Sequence, residues 1–172
     1  MTFSYQPPDR RRARSALAAA LLFSSVATTS TAAAGHPSFA GTWTLVAADK
    51  ELPDGTRTHE YGEHPKGRLM IDAMGRYSLQ IFQPERPNFA TDEAEPSPAE
   101  YRSAVEGAST HYGHISVDWT HRTLRFAPEE ALYPNLRGTV QNRRFEFSGG
   151  VLSYRIPRTP EGIVRISAWR RE

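Results

Sequence analysis

His111, Tyr112 and His114 stand within four positions in the stretch THYGHI, and Arg143 precedes Phe145 by two residues in RRFEF. An imidazole or a phenol in the first stretch is an acid or base for proton transfer. A guanidinium among phenylalanines is costly to bury alone and calls for an acidic or hydrogen-bonding partner, either Glu106 or a ligand carboxylate. Other chemistries are missing from the sequence. It has no cysteine, which removes disulfides, thiolate nucleophiles, zinc–thiolate sites and iron–sulfur clusters. No Gly-x-Ser-x-Gly stretch occurs to mark a serine nucleophile. His111 and His114 would lie nearly on one face of a helix, but Thr110, Tyr112, Ile115 and Val117 around them read as a strand, where residues three apart point to opposite sides. His59 and His64, beside Glu60 and Glu63, read as a solvated surface cluster. No metal site and no cofactor is therefore expected.

These groups need a scaffold, and the chain supplies short alternating segments divided by turns. GTWTLVAAD from Gly41 to Asp49 reads as a first strand, with the turn LPDG after it. GRLMID and GRYSLQIF form a hairpin around Asp72-Ala73-Met74-Gly75. In it Leu69 and Ile71, with Tyr77, Leu79 and Ile81, share the inward face. QPERPNFATDEAEPSP carries four prolines and excludes an inner strand. Ser97, Pro98 and Glu100 then signal one short helix over residues 98–107, with Tyr101 on its inner side. Strands resume in THYGHISVDW, TLRFA, TVQNRRFEFSGG, VLSYRI and IVRISAWRRE, with PEEALYPNLRG read as a loop. Eight or more strands with so little helix predict an all-β fold, a small closed antiparallel barrel. Within it Tyr112 is preferred as the inward residue over His114, which is placed at the rim, and Arg143 is placed inward with Phe145 and Phe147. The ligand-facing set is then Tyr77, Leu79, Ile81, Tyr101, Tyr112, Arg143 and Phe145, and the candidates for acid–base work are Tyr112 and His114.

The N-terminus has its own logic. Arg10, Arg11, Arg12 and Arg14 precede the apolar run ALAAALLFSSV, and small residues follow at Ala32 and Ala34. This order predicts a secretory signal peptide over residues 1–34, removed after Ala34 to leave a domain over residues 35–172. The apolar run is too short and too diluted by Ser, Thr and Ala to anchor in a membrane, so no stable insertion is expected after leader removal. The destination is the periplasm or the outside of the cell, by a general or a twin-arginine route. The whole chain has 21 Lys and Arg against 19 Asp and Glu; residues 1–34 hold four of the arginines and Asp9, so the remainder carries a formal −1. No basic surplus is left to meet phosphates, and a nucleic-acid partner is not expected.

Taken together, several stretches resemble the bacterial and fungal lipocalin-like domain family. FAGTWTLV at Phe39–Val46 has its Gly-x-Trp opening. GEHPKGRLMIDAMGRYS at Gly62–Ser78, QPERP at Gln83–Pro87, EYRSAVEGASTHYGHISVD at Glu100–Asp118 and YPNLRGTVQNRRFEF at Tyr133–Phe147 are similar to further family elements in the same order. The resemblance implies an up-and-down barrel with an interior cavity, closed where Arg170 or Arg171 packs over Trp43. It implies a barrel that binds a small apolar or aromatic molecule. Two alternatives stand beside this: a cofactor-free isomerase or cyclase working in the same cavity, and a structural or interaction module with a filled core.

Overall fold

The computed structural model describes residues 35–90 and 95–172. The leader expected over residues 1–34 lies outside the described residues. Nine strands and one helix follow in order: β1 (Gly41–Glu51), β2 (Arg57–His59), β3 (Lys66–Ile71), β4 (Arg76–Phe82), α1 (Pro98–Glu106), β5 (Ala108–Asp118), β6 (Thr123–Ala131), a 3-10 turn (Pro134–Leu136), β7 (Gln141–Ser148), β8 (Val151–Arg155) and β9 (Val164–Arg171). From β3 to β9 each strand pairs antiparallel with the next, β3 also pairs with β1, and β9 returns to β1 from Trp43↔Arg171 to Glu51↔Val164. Eight strands thus close a barrel, and the three-residue β2 only extends its rim along β1.

Local chemistry explains the turns. Asp72 caps the β3–β4 hairpin: its Oδ1 accepts from the backbone N–H of Met74 and of Arg76, both at 2.9 Å. Gly75 then takes φ 83°, a conformation that glycine adopts without a steric penalty. Gly149 and Gly150 join β7 to β8 with φ 57° and 75°, the two positive values that a tight type I′ turn requires.

The helix begins where the capping residues place it. The Ser97 hydroxyl accepts from the Glu100 backbone N–H at 3.3 Å, and the Glu100 carboxylate accepts from the Ser97 N–H at 2.7 Å. The expected inward Tyr101 is corrected. No side chain of α1 is buried, and Tyr101 is 48% exposed, close to Phe89 on the outer surface. A helix of nine residues lying beside the mouth has no wall on its far side to bury a stripe against.

β6 also runs further than its proline suggests, since Pro128 lies inside it. The β5–β6 register steps from Tyr112↔Glu130 to Gly113↔Pro128, so Glu129 is an extra residue on β6. The bulge puts the proline where the ladder is irregular, next to the unpaired Glu129, and Gly113 lets the two backbones approach.

The core is layered along the barrel axis. At the closed end Phe39, Trp43, Trp119, Phe145 and Phe147 interlock edge to face, with Phe39 5.4 Å from Phe145 and 5.9 Å from Trp43 between ring centres. Arg171 lies over the Trp43 ring at 4.6 Å and donates to the carbonyls of Ala40 and Ser38. The Trp43 indole donates to Phe39 O at 3.0 Å. Leu69, Leu124, Phe126, Leu152 and Trp169 fill the middle layer.

Candidate functional site

Above that middle layer the barrel is not filled. A cavity of ≈ 400 Å³ opens between the strand ends at the far side from Trp43. Its walls come from alternate residues of neighbouring strands: Leu79 and Ile81 on β4, Ser109 and His111 on β5, Gln141 and Arg143 on β7. Tyr154 and Ser167 complete the deep part, and Leu136 and Ile156 give apolar surface nearer the mouth. Across the mouth Tyr61, from the segment after β2, packs on the core, and Tyr133 donates to the carbonyl of Val105 at 3.2 Å. Glu60 holds Arg165 at 2.6 Å beside them.

Three buried polar groups give the cavity its character. Arg143 is 2% exposed. Its guanidinium lies 3.9 Å from the Phe126 ring centre and 5.1 Å from that of Tyr154. Its Nε and Nη2 both donate to Gln141 Oε1, at 3.2 and 2.7 Å. His111 Nδ1 shares a hydrogen bond of 2.8 Å with the Tyr77 hydroxyl. Burial, reinforced by the charge of Arg143, pushes the His111 imidazole down to about 3, so it is neutral at working pH. Burial raises the Tyr77 and Tyr154 phenols and pushes Tyr61 up to about 12. The site therefore joins one fixed cation to a set of neutral donors and acceptors. It can hold an anionic or electron-rich oxygen, and His111, neutral and a weak base, can share a hydrogen bond with a group brought against it. Among the described residues no group of three His, Asp or Glu is arranged to hold a metal.

The residues singled out from the sequence divide between the cavity and other surfaces. Leu79, Ile81 and Arg143 line the cavity together. Tyr77 stands one step behind it, through His111. Phe145 is corrected: it shares the inward face with Arg143 but lies one layer deeper, in the aromatic floor against Phe39 and Trp119. Tyr112 is corrected too: it faces outward at 50% exposure. So does His114, which meets the Met74 carbonyl at 2.8 Å, and neither acid–base candidate lines the cavity. Residues two apart on a strand share a face, and the inward face of β5 is His111, Gly113 and Ile115. Sequence reasoning missed His111, although its spacing from Ile115 and Val117 was the available signal. It also missed Gln141, two residues before Arg143, and Tyr61. Of the two terminal arginines, Arg171 covers Trp43 and Arg170 is exposed.

Comparison with known proteins adds the following. A family model described as a lipocalin-like domain matches residues 40–170. One solved structure, a mutant of the fluorescent protein UnaG, is similar at 14% identity, covering 77% of this chain and 95% of that chain with a TM-score of 0.36. No curated protein matches the chain.

Proposed function

The chain belongs to the lipocalin-like domain family, and from that premise we propose that it is exported and holds a small apolar or aromatic molecule inside its barrel. The observation that carries this is the ≈ 400 Å³ cavity above a sealed aromatic floor. A filled core would leave no such space, and ligand sites in barrels of this kind are apolar with a few placed polar groups. Leu79, Ile81, Leu136 and Ile156 supply the apolar surface, and Arg143, Gln141 and His111 the polar groups. The test is native mass spectrometry of protein purified from its own host, with Leu79→Trp as the filled control. The expected result is a small-molecule adduct that the control lacks. No adduct, together with no fluorescence gain from an uncharged apolar dye such as Nile red, overturns the reading.

A second reading, a cofactor-free isomerase or cyclase, is favoured by one specific feature. His111 is neutral, paired to Tyr77, and shares the cavity with Arg143. The fixed cation can stabilise an enolate oxygen, and His111, a weak base while Arg143 stands unpaired, gains basicity as that negative charge develops beside it. The recovered ligand, incubated in deuterated water, should then exchange hydrogen with the wild type and not with His111→Asn. Equal exchange in both removes this reading and leaves the binding one standing.

A further inference from the structure

We propose that the cavity takes a monocarboxylate, acid end first, on the free edge of Arg143. This rests on the binding reading above and specifies its ligand class. The starting point is a charge without a counter-charge. None of the ion pairs among the described residues includes Arg143. A guanidinium does not lose its proton to escape burial, and burying it unpaired is expensive. Gln141 gives it a neutral acceptor, not a charge.

The geometry then selects the anion. Phe126 and Tyr154 lie against one side of the guanidinium, their own ring centres 5.4 Å apart, and Gln141 occupies its Nε–Nη2 edge. What remains is the end-on fork of Nη1 and the second Nη2 hydrogen. Two parallel N–H groups fit the two oxygens of a carboxylate. The buried Tyr154 hydroxyl, near Arg143, Ser167 and Trp169 without a well-formed hydrogen bond, is a further donor for the same group. The charge count sets the limit at one. His111, the neighbouring titratable group in the wall, is neutral and adds nothing. Arg165 at the rim is already held by Glu60. A dianion such as a phosphate monoester or a dicarboxylate would leave a buried negative charge unmatched.

Orientation follows from where the charges lie. The cation is deep, while at the mouth Glu60 and Arg165 offset each other and Glu106 adds a negative charge, so an acid group left at the rim finds no free cation. The apolar body of the ligand then lies against Ile81, Leu136 and Ile156, between Arg143 and the opening.

Decanoate and 1-naphthaleneacetate, each set against its primary amide, test the proposal and separate an aliphatic from an aromatic body. Displacement of Nile red reports binding, and thermal unfolding confirms that variants are folded. In the wild type at least one acid should bind about tenfold or more tighter than its amide, the size of effect that a charge-assisted fork produces. Arg143→Met should abolish that preference while the amide still binds. Arg143→Lys, which keeps the charge and loses the fork, should fall between. If the dye binds but acids and amides displace it equally, or neither displaces it, the monocarboxylate is overturned and the binding reading stands. If the acid preference survives in Arg143→Met, the anchor is overturned. If the dye does not bind and neither acid raises the unfolding temperature, the monocarboxylate is overturned, and the binding reading falls with it when native mass spectrometry also shows no adduct.

Discussion

At the scale of single residues, two side chains do work that their types alone do not announce. Arg171 closes the barrel end by stacking on Trp43 and donating to two carbonyls of the segment before β1. Arg171→Ala should therefore cost about 1–3 kcal/mol, from lost stacking and carbonyls left short of a donor. Arg170→Ala, on the exposed side, should change stability by no more than about 0.5 kcal/mol. Urea unfolding of the two variants checks the pair, and equal losses would rule out the closure role. His111 carries the second prediction. Its pKa is about 3 in the folded protein against the ordinary 6.5. Below pH 6.5 the unfolded chain therefore binds a proton that the folded chain refuses. Stability is complete above that pH and falls as pH drops from about 6.5 towards about 3, by up to about 1.4 kcal/mol per pH unit. Between pH 7 and pH 5 the wild type should lose about 2 kcal/mol more than His111→Gln does. Identical losses in urea titrations at the two pH values would show that the imidazole is not held neutral.

At the scale of elements, the β5–β6 pair has the least freedom. Pro128 sits in a strand because the extra Glu129 takes up the irregularity, and Gly113 lies where the backbones come closest. A Cβ there would be 2.2 Å from the Ala127 carbonyl and 2.7 Å from the Glu129 nitrogen. Gly113→Ala should cost about 3 kcal/mol or more, because backbone atoms rather than a flexible side-chain end must move. Ser116→Ala, exposed on the same strand, should be close to neutral. Thermal unfolding of the two distinguishes them, and a harmless Gly113→Ala would mean that the bulge adapts. The helix is the opposite case. Ser97, Pro98 and Glu100 lie within four positions, their hydrogen bonds are local, and the helix, expected over residues 98–107 and found over Pro98–Glu106, was legible from those signals. The outward side of Tyr101 was not legible, since it depends on how the helix lies against the barrel.

At the scale of the whole molecule, the barrel and the leader make separate claims. Removal of residues 1–34 predicts that N-terminal sequencing of the exported protein begins near Gly35. Recovery of the intact leader on cytoplasmic protein would contradict it. For the barrel, the sequence by itself determined most of the strands and turns, short of the extension of β6 through Pro128, and that one short helix interrupts them. All of these rest on local signals: a period of two along each strand, Asp and Gly in the hairpins, and a capping box. The inward face of THYGHI had a local signal in the spacing of His111 from Ile115 and Val117, whereas tertiary structure alone decided that His111 lines the cavity and Ile115 lies in the core. It decided that Phe145 belongs to the floor and Arg143 to the cavity, although the two share a face. It also brought Gln141 onto one edge of the guanidinium and Phe126 and Tyr154 against one side of it. Depth along the barrel axis depends on strand register and closure, which join residues far apart in sequence, and no local pattern encodes it.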